Sequence, residues 1–302
     1  MILVVGSTGM VGSDICRRLV KRGEPVRALV RSTSDPAKVA ALRDLGVEIV
    51  VGDVRRPGSL DAACRGAHAV VCTVSSMPFS YVPDVNDIQT TDMWGVLDLV
   101  AAASRADMGR FVYLSFSGNL DTPSPLREAK RAVEENLRHG KLEYTILRPT
   151  CFMEVWLGPA VGFDPANAKV TIYGDGTRPV SWIAAGDVAE FATRALLTPE
   201  ARNATFELGG PQAITPLEAV RIFERVGGRP FEVQYVPEEA LHAQLASATD
   251  PMQESFAALM CSVAQGDRIE MEHTLSVLPV PLTSVEEYAE RVYGRVPVGT
   301  AG

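Results

Sequence analysis

The sequence has few of the residues that build disulfide-stabilised domains or bind metals. Its 302 residues include five cysteines and four histidines. The cysteines are odd in number and form no CxxC pair, so the sequence indicates neither a disulfide framework nor a zinc site. The histidines are scattered without ligand spacing, and we therefore predict no bound metal.

The sequence also lacks long apolar runs and clusters of positive charge. No apolar run approaches the roughly 20 residues of a membrane-spanning helix. The apolar residues 1–5 are too short for a signal peptide and lack its positive leader. The formal net charge is −8 at pH 7, which disfavours binding to nucleic acid or an anionic membrane. We therefore expect a cytoplasmic protein whose partner is a small-molecule substrate.

Up to about residue 150, short β-branched apolar runs alternate with longer segments of helical periodicity. The runs predict strands at residues 2–5, 26–30, 47–51, 69–73, 111–115 and 144–147. Helices are predicted between them, for example at residues 10–22 and 94–106. Because each strand is almost wholly apolar, we predict an α/β fold with a doubly wound parallel sheet of the Rossmann type.

After residue 150 the pattern loosens, and proline and glycine become more frequent. Helices are predicted at residues 185–197, 216–226 and 237–265, and strands at 169–173, 205–208 and 231–235. We predict that residues 156–302 form a smaller α/β lobe that partly returns to the sheet. The apolar-rich segment 237–265 is suited either to a lid or to a partner subunit in a homo-oligomer.

A glycine-rich segment, GSTGMVG, follows the first predicted strand and opens the first predicted helix. Gly6 allows a tight turn, Gly9 lets backbone N–H groups approach a pyrophosphate, and Gly12 lets helix and strand pack closely. The helix N-terminus adds further N–H donors and a partial positive charge. We therefore predict that residues 1–155 form an NAD(P)-binding domain, with the phosphates held by Gly6, Ser7, Thr8, Gly9, Met10, Val11 and Gly12.

The end of the second predicted strand bears on the choice of dinucleotide. An acidic residue there binds the ribose 2′-hydroxyl of NAD, whereas an arginine accommodates the 2′-phosphate of NADP. The sequence has Arg31, 19 positions beyond Gly12, and Lys38 follows on the next helix. Both cations suit a phosphate, so we predict NADP. The alternative is NAD, with Arg31 a solvated charge at the strand end.

Two further strand ends contribute to the predicted cofactor site. Asp53 and Val54 close the third strand, where a carboxylate can bind the adenine amino group and a valine can pack on the ring. Asp53 is equally suited to forming a turn. Small side chains follow the fourth strand, and we predict that three of them contact the nicotinamide half: Thr73, Val74 and Ser75.

Five segments together resemble the NmrA-like, isoflavone-reductase-like branch of the atypical short-chain dehydrogenase/reductases. They are GSTGMVGS, VRALVR, GDV, RFVYLSFSG and YTILRPTCFME, at the first, second, third, fifth and sixth strands. The resemblance covers roughly residues 1–235, and the motifs are specific in combination rather than singly. It implies a Rossmann core, a smaller substrate lobe and, usually, NADPH as the ligand.

Ordinary short-chain dehydrogenases carry YxxxK on the helix after the fifth strand, where the tyrosine protonates the carbonyl and the lysine binds the nicotinamide ribose. The sequence reads LREAK in that window, so the lysine is present as Lys130 and the tyrosine is absent. The resemblance implies that Lys130 contacts the cofactor and takes part in proton transfer. The alternative is a solvated helix-surface charge that pairs with Glu134 four residues later.

The resemblance also places the turn after the sixth strand beside the nicotinamide. It implies cofactor contacts from Pro149, Thr150 and Phe152. The substrate pocket is predicted to include two hydroxyl or amide side chains and two large apolar ones, because such walls suit a flat ring. These residues are Ser117, Asn119, Met153 and Trp156. Phe152 and Met153 are equally well explained as hydrophobic core.

Three functions are compatible with these features. The one we expect is an NADPH-dependent reductase of a small aromatic, quinone-like or carbonyl compound, in which binding and orientation supply most of the catalysis. Its proton would come from water, Lys130, Ser117 or the substrate itself. The second is a non-catalytic redox sensor of the NmrA type that binds NADP(H). The third is an assembly factor that retains the fold.

Overall fold

The computed structural model describes residues 1–77 and 81–294. The strands are β1 Ile2–Val5, β2 Val26–Val30, β3 Glu48–Val51, β4 Ala69–Cys72, β5 Arg110–Leu114, β6 Glu143–Pro149, β7 Phe163–Asp164, β8 Lys169–Tyr173, β9 Ala204–Leu208 and β10 Glu232–Val236. Seven form a parallel sheet in the order β3-β2-β1-β4-β5-β6-β9. The strand order reverses between β1 and β4, and a crevice for ligands forms at such a point, beyond the carboxyl ends of the strands.

The helices flank this sheet and build the second half of the chain. They are α1 Met10–Lys21, α2 Pro36–Asp44, α3 Pro57–Cys64, α4 Val96–Arg105, α5 Pro125–His139, α6 Met153–Trp156, α7 Ala185–Leu197, α8 Pro216–Gly227, α9 Glu238–Ser247, α10 Pro251–Ala264, α11 Glu272–Val277 and α12 Val285–Val292. A π-helical turn at Ile88–Gly95 runs directly into α4. Within the described ranges, no helix is long and apolar enough to cross a bilayer.

An apolar layer covers each face of the large sheet. On one face, α1 and α7 bury Ile15, Leu19 and Phe191 against the strands. On the other, α3 and α4 bury Leu60 and Leu99. Both clusters contain residues of β1 and β4, because the side chains of a strand alternate between the two faces. The predicted doubly wound parallel fold is therefore confirmed.

The second half of the chain divides between the large sheet and a small one. α7 returns to pack on α1, where Glu190 accepts hydrogen bonds from Arg18 and Arg22 at 2.8 and 2.6 Å. β9, predicted as a strand at residues 205–208, is the edge strand beside β6. β10, β8 and β7 form a separate three-stranded sheet. The division into residues 1–155 and 156–302 stays a prediction.

The single helix predicted at residues 237–265 was wrong, because two helices occupy this segment. The break lies between the end of α9 at Ser247 and the start of α10 at Pro251. Pro251 has no N–H to continue a helix and disfavours helical geometry in the residue before it. Asp250 then begins α10 as its cap, since its carboxylate accepts from the backbone N–H groups of Met252 and Gln253, both at 3.0 Å.

Candidate functional site

The glycine loop between β1 and α1 has the close packing that its sequence predicts. Gly6 has a φ of +87°, and a Cβ there would lie 2.5 Å from the Thr73 hydroxyl oxygen. A Cβ on Gly12 would collide with the Gly6 carbonyl, whereas one on Gly9 would lie 3.1 Å from the same oxygen. Gly12 therefore serves the packing of α1 on β1, and Gly9 leaves the loop open above the helix N-terminus.

The first turn of α1 points unpaired N–H groups toward this opening. The helix begins at Met10, and no side chain within the described part of the chain caps it. Its first backbone N–H groups have no acceptor inside the helix. Together with the helix dipole, they form a site suited to a phosphate. The hydroxyl of one loop residue points away from it, because Ser7 is fully buried and donates this group to the Leu29 carbonyl at 3.0 Å.

A polar cleft of about 560 Å³ runs from the glycine loop across the carboxyl ends of β1, β2, β3 and β4. Ten of the residues predicted to bind the cofactor line it, among them four of the loop and both members of the predicted adenine site. They are Gly6, Thr8, Gly9, Met10, Arg31, Asp53, Val54, Thr73, Val74 and Ser75. The sheet therefore brings most of the predicted cofactor contacts to one cleft.

The far end of the cleft carries two cations and one carboxylate. Arg31 and Lys38 both line it, and neither is in an ion pair within the described residues. Asp35 also lines it and was missed in the sequence, where the helix-capping pattern before Pro36 was the available signal. Its carboxylate accepts from the Ala37 N–H at 2.9 Å as the cap of α2. Two cations and one carboxylate thus lie at this end of the cleft, and its net charge is positive.

Asp53 forms a turn and also lies in the wall of the cleft. It lines the cleft, and its carboxylate accepts from the backbone N–H of Arg55 at 3.0 Å, as a turn-forming aspartate does. The Arg55 guanidinium also binds it, at 3.0 and 2.5 Å. Burial opposes ionisation of Asp53, but these hydrogen bonds outweigh it and hold its pKa below the ordinary value. Asp53 therefore presents an ionised carboxylate to the cleft.

A second cavity, of about 290 Å³, opens from the inner end of the cleft. The two share Gly9, Met10, Thr73, Ser75 and Met77 as walls. The remaining walls of the second cavity are mostly apolar and aromatic, and they come from β5, α6 and α10. They include Phe116, Phe152, Val155, Trp156, Phe256, Leu259 and Met260. Of the residues predicted beside the nicotinamide, Pro149 and Thr150 also line it, and so does Val11 of the glycine loop.

Lys130 lies in the wall of this apolar cavity. Its side chain is only 4% exposed, and its ammonium lies 3.2 Å from the carboxylate of Asp92, which is fully buried. The ammonium also donates to the Val74 carbonyl at 3.0 Å. On its other side, Asp92 accepts from the backbone N–H and the hydroxyl of Ser76, at 2.9 and 2.6 Å. Lys130 is thus fastened to the loop after β4.

The alternative in which Lys130 is a solvated partner of Glu134 is wrong. Glu134 is buried and pairs instead with three arginines, Arg131, Arg138 and Arg148. It also accepts the Ser115 hydroxyl at 2.6 Å. Burial alone would raise its pKa, but the bonds from Arg148 and Ser115 and the arginine charges lower it to about 2. Lys130 lies on the buried face of α5 with Leu126 and Ala129, and its partner there is Asp92.

Three of the four predicted substrate residues do not reach the apolar cavity. Ser117 is fully buried and donates its hydroxyl to Asp267 at 2.8 Å. The amide of Asn119 donates to the same carboxylate at 3.0 Å. Met153 is fully buried in an apolar cluster with residues of the small sheet, as its alternative interpretation held. Only Trp156 lines the cavity.

Several site residues had no signal in the sequence. Asp92 lies in the π-helical turn, and Asp267 follows α10, far along the chain from every residue it binds. Phe256, Leu259 and Met260 were visible only as an apolar helix segment. Across the described ranges 1–77 and 81–294, no group of three or more His, Cys, Asp or Glu side chains is placed to hold a metal ion.

Two known proteins and one solved structure are similar to this chain over most of its length. The chain is 28% identical to the photosystem II assembly factor Ycf39 of Synechocystis, covering 98% of the chain and 91% of that protein. It is 31% identical to the NAD(P)H azoreductase of Xenophilus azovorans, covering 86% and 85%. The structure of the NADPH-dependent quinone oxidoreductase of Escherichia coli, complexed with NADPH, superposes with a TM-score of 0.78 at 21% identity, covering 97% of the chain and 100% of its own.

The sequence model of the NmrA-like family matches nearly the whole chain. The match includes the glycine loop, Lys130, the turn after β6 and α10, and runs from residue 1 to residue 289. The resemblance inferred from five segments is thereby confirmed: the chain belongs to the NmrA-like family.

Proposed function

We propose that the protein is an NADPH-dependent oxidoreductase that reduces a small, flat aromatic acceptor of the quinone-like or carbonyl type. The observation that carries this proposal is the junction of the polar cleft with the apolar cavity at Gly9, Met10, Thr73, Ser75 and Met77. A dinucleotide has a polar phosphate-rich part and a flat reactive ring. The two joined spaces offer a compartment suited to each.

The residues of the polar cleft fit NADP. A side chain at Gly6 would collide with Thr73 and displace the loop, and the N–H groups of the first turn of α1 are free for phosphate oxygens. Arg31 and Lys38 outnumber the Asp35 carboxylate at the far end of the cleft, so a net positive charge faces a 2′-phosphate there. The solved quinone oxidoreductase with NADPH supports the same cofactor.

The apolar cavity positions the acceptor. When bound, NADPH supplies a hydride. Phe116, Phe152 and Trp156 offer aromatic walls that orient a flat ring and exclude water. The relatives described as an azoreductase and a quinone oxidoreductase support an acceptor of this kind.

Proton supply favours an acceptor whose reduced form is a delocalised anion. The cavity hydroxyls of Ser115 and Thr150 donate their protons to Glu134 and Asp267, at 2.6 and 2.5 Å. The Lys130 ammonium is bound to Asp92 and to the Val74 carbonyl. A quinone-like acceptor can hold the negative charge until water delivers a proton, whereas a simple ketone needs a donor in the same step. We therefore rank quinone-like compounds above simple carbonyls.

The test follows NADPH oxidation by absorbance with a naphthoquinone, an azo dye and an aryl ketone of similar size. We expect turnover with the quinone, slower turnover with the ketone, and a lower kcat/KM when NADH replaces NADPH. The variant Arg31→Glu should reduce the rate with NADPH and leave the rate with NADH nearly unchanged, so that NADH serves as the internal control. Failure to bind either dinucleotide would refute the proposal.

One observation favours a non-catalytic role as the second candidate. The hydroxyls of Ser115 and Thr150 each donate to a buried carboxylate. The Lys130 ammonium is bound to a carboxylate and a carbonyl. The full-length similarity to a photosystem II assembly factor points the same way. Tight NADPH binding without oxidation by any acceptor of the panel would favour a redox sensor or an assembly factor.

A further inference from the structure

Two hydroxyls in the wall of the apolar cavity donate to buried carboxylates, and the charge environments of these two carboxylates differ. Glu134 lies behind Ser115 and is neutralised by Arg131, Arg138 and Arg148. Asp267 lies behind Thr150 and, within residues 1–77 and 81–294, is in no ion pair. The wall at Thr150 therefore carries negative charge that no neighbouring cation balances.

Asp267 is held in place entirely by neutral donors. Its carboxylate accepts from Thr150 at 2.5 Å, from Ser117 at 2.8 Å and from the Asn119 amide at 3.0 Å. The residue is only 1% exposed. Its own backbone is fixed as well, since its N–H donates to the Pro179 carbonyl and its carbonyl accepts from Ser181, both at 2.9 Å. The carboxylate therefore cannot turn toward solvent without breaking several bonds.

The hydroxyl of Thr150 transmits this charge to the cavity. Because its proton points to Asp267, the oxygen offers only lone pairs to a ligand. The hydroxyl of Ser115 is in the same state, since it donates to Glu134 at 2.6 Å. A ligand in the cavity therefore meets acceptor oxygens and an unbalanced negative charge at the Thr150 side. The Lys130 ammonium in the wall is balanced by Asp92, and the remaining walls are mostly apolar.

We propose that Asp267, acting through Thr150, makes the cavity selective for flat aromatic acceptors that carry a positive charge over neutral and anionic ones of the same shape. The inference rests on the proposed function, because it assigns the substrate class of the same cavity. Asp267 is a specificity residue that does not itself touch the acceptor. An apolar, weakly hydrated surrounding strengthens such an interaction relative to water.

The neighbouring thiol is exposed to the same charge. Cys151 lines the cavity beside Thr150, and its pKa is raised well above the ordinary value by burial and by the negative charge of Asp267. A thiol kept protonated does not attack quinone-like electrophiles. The same charge that attracts a cation thus suppresses a side reaction of the cavity wall.

The test uses three naphthoquinones that differ in one substituent: trimethylammonio-methyl, the isosteric neopentyl, and sulfonatomethyl. Dissociation constants are measured with the full-length protein by quenching of tryptophan fluorescence, since Trp156 lines the cavity. We expect the cationic ligand to bind about tenfold more tightly than the neopentyl one, and the anionic ligand more weakly than either. Equal affinities of the wild-type protein for the cationic and neutral ligands would overturn the proposal.

Two variants assign the effect to its source. Asp267→Asn should bring the ratio of the dissociation constants of the neutral and cationic ligands close to one. The affinity for the neutral ligand should stay within about twofold of the wild-type value. The control is Glu270→Gln, which removes the same charge three positions away from a side chain that is 67% exposed. It should keep the wild-type ratio. Retention of the ratio in Asp267→Asn would overturn the proposal.

The outcomes also separate this inference from the proposed function. If the quinones are bound with the expected ratio but never reduced, the reductase fails and the charge selectivity stands. If they are reduced with equal kcat/KM and equal affinity, the reductase stands and the selectivity fails. Should Asp267→Asn not fold, as judged by circular dichroism, the comparison of the three ligands on the wild-type protein decides alone.

Discussion

Lys130 and Asp92 form a buried ion pair, with 3.2 Å between the ammonium nitrogen and a carboxylate oxygen. The pair joins α5 to the π-helical turn before α4, and through the Val74 carbonyl and Ser76 it also fixes the loop after β4. That loop lines both the cleft and the cavity. The integrity of the proposed site therefore depends on this pair.

Removing one partner of the pair is expected to be costly. Asp92→Asn leaves the Lys130 ammonium buried without a counter-charge and should lower the free energy of unfolding by about 3 kcal/mol. Lys130→Met should have a similar effect, because it leaves the carboxylate unpaired. The double variant should be less destabilised than the sum of the two, as measured by urea unfolding in a double-mutant cycle. Strict additivity would show that the two side chains are not coupled.

Arg31→Glu should separate the two dinucleotides. Loss of a charge-assisted contact to the 2′-phosphate should weaken NADPH binding by at least about tenfold, while NADH binding changes about twofold or less. Calorimetric titration with both ligands measures this difference. Lys21→Glu is the matched control, since it makes the same charge change at an exposed position near the other end of α1. Equal losses for NADPH and NADH would contradict the assignment.

The glycines of the loop should respond differently to alanine. Gly12→Ala forces a methyl group against the Gly6 carbonyl and should lower the free energy of unfolding by about 3 kcal/mol through displacement of α1. Gly9→Ala places its methyl group at 3.1 Å from the same oxygen and should leave the unfolding free energy nearly unchanged while weakening NADPH binding. Thermal melts and titrations distinguish the two effects. A stable Gly12→Ala protein with normal affinity would refute this account.

Glu134 should give the protein a distinct acid dependence. Its pKa is lowered to about 2 in the folded protein, against 4.5 as the ordinary value. A carboxyl with a lowered folded pKa contributes stability that is present above the unfolded pKa and lost as pH falls through the folded one. The contribution, about 3 kcal/mol, should therefore disappear between pH 4.5 and 2.

The comparison that isolates Glu134 is made with its neighbour on α5. Glu134→Gln should flatten the loss of stability in this acid range, although the variant is less stable at neutral pH. Glu135→Gln alters a side chain that is 64% exposed and should retain the wild-type pH dependence. Urea unfolding at several acidic pH values measures both. An unchanged acid profile in Glu134→Gln would show that the arginine cluster does not depend on this charge.

The elements with a strong local signal could be predicted from the sequence. β1, β2, β8 and α7 have the predicted bounds, because their apolar patterns are bounded by glycine, proline or a clear change of period. The glycine loop was predictable for the same reason, since its turn, close packing and helix start are all local. In contrast, the sequence pattern did not predict the break before Pro251, because the segments on both sides are rich in apolar residues and together have the pattern of one helix.

The cavity walls could not be predicted because they depend on contacts between distant segments. Ser117 and Asn119 have the polarity of substrate contacts, yet both are bound to Asp267, about 150 positions along the chain. α10 contributes Phe256 to the cavity only because it packs against α5. Local patterns indicate that a side chain is polar or apolar, but they do not indicate which distant partner satisfies it.

The pairing of β9 with β6 bears on any attempt to shorten the protein. Residues 145–149 of β6 are hydrogen-bonded to residues 204–208 along the whole of β9. A fragment that ends at residue 155 would keep the glycine loop but leave the backbone of β6 without its neighbour, and such bare strand edges recruit other chains. It would also strip α7 from α1, exposing Ile15 and Leu19. Truncation is therefore expected to yield self-associating material rather than an isolated nucleotide-binding unit.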